Sequence, residues 1–326
     1  MTLKHVLVIS DSLQSLPKAV EALAACGHGI TYIPDLTPLP KIRGVDLGSV
    51  DAVVMGRVMG ISEAVLDLIP QVRVIALHTS GTDNIDLAAA SARGIAVTNC
   101  KGVNAEQCAE FSIGLMLAIT RQIRRGDIAI RAGRWAADTQ GSMDVYGATF
   151  GMIGLGQIGR AAARRAKAFG MQIICHTRTP DPVIGAELGI TYVTLDQVMA
   201  QSDVVNVFAS LNSTTRHMVG RAQIALMQSH AFLVNIARGE LVDEAALTEA
   251  LVQGRIAGAA LDVFEVEPLT DSPLFALDNV ILTPHQAGLT HRAKSDAAVT
   301  AVRNALAVLA GAVAPNLVNQ PARSKP

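Results

Sequence analysis

Two open, doubly wound α/β sheets are the fold this sequence predicts, and three observations carry the prediction. Short apolar, β-rich runs alternate with helical patterns almost from end to end of the 326 residues, the pattern of parallel sheets covered by helices on both faces. That length favours two domains at roughly 150 residues each. A hydrophobic content of 50% against 17% charged residues supplies material for large cores and excludes a disordered chain.

The elements follow in order. Residues 6–9, Val-Leu-Val-Ile, read as a first strand, and a helix over 18–25 stops near Gly27. Residues 52–55, 72–77 and 95–98 repeat the strand signal, with a helical stretch over 62–68 between the first two. A single long helix is expected over 105–124, because its run 111–119 is apolar around its girth, as in a helix buried at a domain junction. The βα pattern then restarts, with six strands expected at 149–153, 172–175, 204–208, 232–236, 257–261 and 280–282. A last helix over 292–309 has Ala and Val spaced to pack back on the first sheet. The expected division is therefore residues 1–100 plus 288–326 for one domain and 101–287 for the other.

Composition narrows the partners. Lys and Arg number 27 against 28 Asp and Glu, a formal charge of −1, and aromatics are 3% with a single Trp. No basic block and no stacking platform point to nucleic acid. No stretch approaches the roughly 20 apolar residues of a membrane span. The first apolar run is too short for a signal-peptide core, and Cys26, Cys100, Cys108 and Cys175 show no Cys-x-x-Cys spacing, so a reduced cytoplasm is the expected setting.

Chemistry enters at Gly154-Leu155-Gly156-Gln157-Ile158-Gly159, a G-x-G-x-x-G between a strand and a helix. In that context Gly154 permits a tight turn, Gly156 lets backbone approach a pyrophosphate, and Gly159 lets helix and strand pack closely. The amides around Gln157 and Ile158 would face phosphate oxygens; an ordinary glycine-rich turn is the plainer alternative. NAD enzymes usually carry Asp or Glu about 20 residues past such glycines, at the end of the next strand. Here Thr177, Arg178 and Thr179 stand there. A guanidinium attracts a 2′-phosphate, so NADP is the expected cofactor, with NAD the alternative if Arg178 only stacks on adenine or faces solvent.

Three strand ends in the second half carry reactive side chains. Arg238 follows Asn235-Ile236-Ala237, Glu267 follows Leu261-Asp262-Val263-Phe264-Glu265-Val266, and His285 follows Thr283-Pro284. Carboxyl ends of parallel strands line the ligand crevice of such sheets, so the three would converge. These stretches, with Gly81-Thr82-Asp83-Asn84-Ile85-Asp86 and the glycine loop, resemble the D-specific 2-hydroxyacid dehydrogenases. That family includes glyoxylate/hydroxypyruvate reductases and 3-phosphoglycerate dehydrogenases. The resemblance runs from about Ala76 to the Pro315-Asn316-Leu317-Val318-Asn319 segment, most of the chain.

The resemblance implies a flavodoxin-like substrate domain and a Rossmann dinucleotide-binding domain, separated by a cleft. It implies reduction of a small 2-keto acid to the D-2-hydroxy acid, and the reverse oxidation. His285 would be the proton donor, Glu267 its orienting partner and Arg238 the binder of the substrate carboxylate. Thr79, Ser80 and Gly81 would hold that carboxylate through backbone amides from the substrate domain. Ala237 and Asp262 would join the cofactor contacts, Asp262 at the nicotinamide carboxamide; the plainer reading of Asp262 is a cap on a strand-end turn. Asn104 and Gln107 would lie nearby. A metal is not implied, whereas a homodimer is, with residues 105–124 and Gly133-Arg134-Trp135 in its interface.

Several features depart from the family pattern or bear on substrate. Phe208-Ala209-Ser210-Leu211 replaces a common His-x-Pro-Leu, Gln228-Ser229-His230 replaces Lys-Pro-Gly, and Thr177 replaces Asp. Glyoxylate or hydroxypyruvate is the expected substrate, with 3-phosphoglycerate as an alternative for which Arg57 and Arg73 would offer charge. Relatives that place Gln where Glu267 stands act on formate, so formate is not expected. A dinucleotide-sensing module of the corepressor type on the same fold is a further alternative. Buried, inert thiols are expected at Cys100 and Cys108.

Overall fold

A computed structural model describes residues 3–34, 39–56, 60–135 and 142–322. The chain divides into two compact units, Met1–Asn104 with Leu289–Pro326, and Ala105–Gly288.

The first unit holds five parallel strands: β1 (His5–Ile9), β2 (Gly29–Ile33), β3 (Ala52–Met55), β4 (Val74–Leu77) and β5 (Ala96–Thr98). Their order, β2-β1-β3-β4-β5, reverses direction between β1 and β3, which is the flavodoxin-like winding. Alternate side chains of β1 enter opposite cores: Val6 and Val8 pack with the Pro17–Ala24 and His291–Leu309 helices, Leu7 and Ile9 with the other face. Each such fully buried Val or Leu contributes roughly 1.5–3 kcal/mol, so this alternation fixes the register.

Four strands were expected in this unit, and β2 is the fifth. All five of its residues are only partly buried, and Gly29-Ile30-Thr31-Tyr32-Ile33 mixes polar with apolar, as an edge strand does. The short helix Leu87–Ala92 was likewise not anticipated; Asp86 caps it by accepting from the Ala89 amide at 2.8 Å.

The second unit is a seven-stranded parallel sheet: β6 (Thr149–Ile153), β7 (Gln172–His176), β8 (Ile190–Tyr192), β9 (Val204–Val207), β10 (Phe232–Asn235), β11 (Gly258–Leu261) and β12 (Val280–Leu282). The order β12-β11-β10-β9-β6-β7-β8 is Rossmann winding with one strand added beyond β11, and its switch point falls between β6 and β9. Six strands were expected; β8, three residues at the sheet edge, is the addition. Phe150, Met152, Phe232 and Val234 enter one core, while Ile153, Val205 and Leu233 enter the other.

The expected single helix over 105–124 is two. Within its apolar run, Ala105–Thr120 buries Ser112, Ile113, Leu115, Met116 and Ile119, while Phe111, Leu117 and Ala118 are partly buried and Gly114 is exposed. Gln122 then takes a left-handed conformation, φ 53°, and a second helix, Ile123–Arg131, begins. The break falls where the buried stripe ends at Ile119 and Thr120 and the polar run Arg121-Gln122 starts. No helix among the described residues is long and apolar enough to cross a membrane.

Candidate active site

The glycine loop sits at the carboxyl end of β6, beside the switch point. Gly154 has φ 103°, and a Cβ there would lie 2.8 Å from the Ala209 amide nitrogen and 2.9 Å from the Phe208 carbonyl carbon. Only glycine lets the loop pass under the exit of β9. At Gly159 a Cβ would meet the Gly154 oxygen at 2.7 Å, so glycine also sets the approach of the Gln157–Ala168 helix to its strand.

Gly156 differs. Its φ is −79°, and nothing lies within 4 Å of where a Cβ would be. No side chain caps the helix start, which leaves the first amides, at Gln157 and Ile158, facing outward from the helix N-terminus. Steric need in the protein alone therefore explains two of the three glycines. The open space at Gly156 fits a pyrophosphate approaching those amides.

At the end of β7, Thr177 is half-buried and Arg178 and Thr179 are exposed. The nearest downstream carboxylate is engaged: Asp181 pairs with Arg160 at 3.1 Å and accepts from the Ile184 amide to cap the helix Pro182–Leu188.

Glu267 and His285 are brought together. His285 Nδ1 lies 2.8 Å from Glu267 Oε2 and 3.1 Å from Oε1, with the side chains 33% and 20% exposed. The Phe264 amide donates to Glu267 Oε1 at 3.2 Å, folding this carboxylate back on its own turn. His285 holds φ 52°, a region few non-glycine residues adopt. Asp262 explains how. Fully buried at the end of β11, it accepts from Thr283 Oγ1 at 2.6 Å and from the Gln286 and Ala287 amides at 2.9 Å each. The His285 amide donates to the Asp262 carbonyl at 2.8 Å. Asp262 thus organises the 283–287 turn that presents the imidazole.

Arg238 leaves β10 in the turn after Asn235. Asn235 braces that turn by donating to the Arg238 carbonyl at 2.9 Å and accepting from the Ala237 amide at 3.0 Å, and Arg238 Nη1 donates to the Ala237 carbonyl at 2.7 Å. The next residue is the tightest point of the site. A Cβ on Gly239 would fall 1.9 Å from the Phe264 carbonyl carbon. Backbone contact thus fixes the Arg238 turn against the turn that carries Glu267, a link that sequence reading missed; a glycine directly after the strand-end Arg was its visible sign.

Cys108, on the first turn of Ala105–Thr120, has its thiol pushed up to about 11, mainly by burial and further by the charge of Asp262, with Arg238 opposing. Burial raises Cys100 and Cys175 to about 12. These thiols are poor nucleophiles at neutral pH, as expected for Cys100 and Cys108. Gln107 carries a buried Oε1 with no hydrogen-bond partner.

In the first unit the loop after β4 is held by its carbonyls. Asn99 Nδ2 donates to the Ser80 carbonyl at 2.7 Å and the Cys100 amide to the Thr79 carbonyl at 2.9 Å. Ser80 Oγ reaches the Cys100 carbonyl at 3.3 Å and Asn104 Oδ1 at 3.5 Å, and Thr79 Oγ1 reaches the Gly81 carbonyl at 3.3 Å. None of these bonds uses the amides of Ser80 or Gly81. Arg73 stands at the opposite, amino end of β4, donating to the Val308 and Leu309 carbonyls at 3.3 Å each, so it is not a charge for this loop. Arg57 lies outside the described residues.

Comparison with known proteins follows the same lines. Residues 113–287 match the family described as D-isomer specific 2-hydroxyacid dehydrogenase, NAD binding domain. A glyoxylate reductase from Korarchaeum cryptofilum is 42% identical over 265 residues, 80% of each chain. A D-3-phosphoglycerate dehydrogenase from Methanocaldococcus jannaschii is 40% identical over 80% of this chain and 50% of its own. Among solved structures, an NADPH-dependent glyoxylate/hydroxypyruvate reductase from Sinorhizobium meliloti, in complex with NADP and malonate, superposes with a TM-score of 0.85 at 32% identity, covering 100% of both chains.

Proposed function

Because the chain belongs to the D-isomer specific 2-hydroxyacid dehydrogenases, an NAD(P)-binding oxidoreductase family, we propose that it reduces glyoxylate or hydroxypyruvate with NADPH to the D-2-hydroxy acid. The observation that carries the reading is the His285–Glu267 pair at 2.8 Å, on a turn built to present it. A bound nicotinamide supplies the hydride. The protein's part is proton transfer and substrate binding. With Nδ1 donating to the Glu267 carboxylate, His285 delivers its proton to the carbonyl oxygen from Nε2, and Glu267 stabilises the imidazolium. Arg238 binds the substrate carboxylate in its planar fork and polarises the carbonyl. In the first unit, the backbone amides of Thr79, Ser80 and Gly81 are proposed as carboxylate-binding groups.

Gly154, Gly156, Gly159 and the amides of Gln157 and Ile158 are assigned to the pyrophosphate, and Ala237 to the nicotinamide side. Thr177, Arg178 and Thr179 are assigned to the adenosine 2′-phosphate. NADP as the preferred cofactor rests on the exposed Arg178 and on Asp181 being engaged elsewhere. Asp262 serves both the turn and, through its remaining acceptor capacity, the carboxamide. A homodimer is the proposed assembly. Its support is apolar surface on the second unit, where Ile123 is 59%, Ile130 52% and Trp135 90% exposed.

The test is initial rates with NADPH and NADH against glyoxylate, hydroxypyruvate, pyruvate, phenylpyruvate and 3-phosphohydroxypyruvate. Fast NADPH-dependent turnover of either of the first two, lost in Arg238→Ala and His285→Ala, supports the reading. Preference for 3-phosphohydroxypyruvate would move the substrate. Bound dinucleotide with no turnover of any keto acid would make the protein a dinucleotide sensor. Sedimentation at a monomer's mass would refute the dimer.

A further inference from the structure

A second histidine–glutamate pair lies on the same turn as the first. Glu265, two residues before Glu267, receives His217 Nε2 at 2.8 Å, and neither side chain is deeply buried, at 43% exposure for His217 and 32% for Glu265. Glu265 is also crossed with Glu244. The Glu244 amide, at the start of the helix Glu244–Val252, donates to Glu265 Oε1 at 3.2 Å, and the Glu265 amide donates to Glu244 Oε2 at 3.0 Å. This exchange satisfies a helix-terminal amide that would otherwise lack a partner. It also sets two carboxylates close together, and the imidazole N–H on Glu265 opposes their repulsion.

His217 is itself held firmly. Its φ is 50°, and its amide donates to the Glu240 carbonyl at 2.8 Å, while the Val219 amide donates to the Leu241 carbonyl at 3.0 Å. A histidine in the left-handed region persists where its surroundings over-determine it. Glu240 and Leu241 belong to the turn that begins at Arg238, and Gly239 of that turn touches Phe264 and Glu265. His217 therefore grips the Arg238 turn through its backbone and the Glu267 turn through its ring.

We infer that His217 is a positioning residue, which, through Glu265, holds the 264–267 turn so that Glu267 meets His285 in the geometry for proton transfer. The inference rests on the proposed proton-donor role of His285. Its predicted signature is kinetic. Loosening the brace leaves Arg238 and the glycine loop in place, so substrate and cofactor still bind, but the proton donor is misaligned. Displacements of about 1 Å at such groups cost up to about a hundredfold in rate.

The experiment is steady-state reduction of glyoxylate by NADPH with the full chain, comparing wild type, His217→Asn, His217→Gln, Glu265→Gln and His285→Ala. Asn tolerates the left-handed backbone but is too short to reach Glu265. His217→Asn should lower kcat about tenfold, with KM for glyoxylate and Kd for NADPH within about twofold of wild type. His217→Gln, whose amide N–H reaches further, should recover most of the loss. Glu265→Gln keeps an acceptor for the Glu244 amide but leaves His217 only a neutral partner, so it should lower kcat in the same direction by a smaller factor, which covers the case of a His217→Asn protein that does not fold. Wild-type kcat in both His217→Asn and Glu265→Gln, alongside an inactive His285→Ala, would overturn this inference and leave the proton donor standing. Loss of kcat and KM together, not restored by Gln, would make the brace merely structural and also overturn it. Full activity in His285→Ala would instead remove the reading on which the inference depends.

Discussion

Alanine at Gly156 and at Gly159 should separate cofactor binding from stability, since the two glycines serve different needs. At Gly159 the added methyl would sit 2.7 Å from the Gly154 oxygen and 3.2 Å from Met152 Cε. Such overpacking costs about 1–3 kcal/mol, against about 1 kcal/mol gained by replacing a helical glycine, so a net loss of up to about 2 kcal/mol is expected. At Gly156 the methyl meets nothing within 4 Å at an ordinary φ of −79°. Alanine is a poorer helix N-cap than glycine, but it also restricts the unfolded chain by about 0.4–1 kcal/mol. The two effects roughly cancel, and thermal stability should not move. The methyl would, however, occupy the approach of the pyrophosphate to the Gln157 and Ile158 amides. Losing one charge-assisted hydrogen bond, about 1.5–3 kcal/mol, raises the NADPH dissociation constant roughly tenfold to a hundredfold. Fluorescence titration with NADPH and a melting curve on each variant measure both quantities. A Gly156→Ala protein that binds NADPH as wild type does would refute the cradle, and one that melts several degrees lower would refute the open space.

Gly239→Ala should destabilise by at least about 3 kcal/mol, because its methyl would fall 1.9 Å from the Phe264 carbonyl carbon with backbone on both sides; a melting temperature within error of wild type would sink the close approach. Arg178→Ala should raise KM for NADPH about tenfold or more while leaving NADH nearly unchanged, and equal effects on both would remove the 2′-phosphate assignment. At pH 8 a water-soluble disulfide reagent should label Cys26 in the native protein and spare Cys100, Cys108 and Cys175, whose thiols stand at about 12, 11 and 12. Those folded-state values lie above the ordinary 9.0, so the unfolded chain loses these protons first. The urea midpoint should therefore hold below about pH 9 and fall as the pH climbs toward 11, and a flat midpoint across that range would contradict the burial of the thiols.

Much of this was legible because the strands are short apolar runs between turns, and β3, β6 and β12 have the bounds their residues suggest. What escaped was polar or peripheral. β2 and β8 are edge strands whose outer residues need not be apolar, so Gly29-Ile30-Thr31-Tyr32-Ile33 and Ile190-Thr191-Tyr192 carry weak signals. The helix break at Gln122 depends on a backbone conformation that glutamine does not advertise. At the site, residue types and strand ends pointed to Arg238, Glu267 and His285, but the supports are tertiary. Gly239 against Phe264, Asp262 gathering the 283–287 turn and His217 on Glu265 join segments 21 to 48 residues apart, and no local pattern encodes those meetings.

The first unit is closed by the far end of the chain. Ala297, Ala298, Ala301, Val302 and Ala305 of the helix His291–Leu309 complete one of its cores, and Asn319 ties down β5 by accepting from the Val97 amide at 2.8 Å and donating to the Ile95 carbonyl at 2.8 Å. During synthesis, the order of emergence and the order of completion are therefore reversed. The strands β1 to β5 leave the ribosome first but must wait with an apolar face uncovered, while the nucleotide-binding unit, made later, has all its own parts and can finish folding before them. That interval is where a holding chaperone would act on this protein, and a released chain truncated just before residue 291 should expose the first sheet to protease while the second resists.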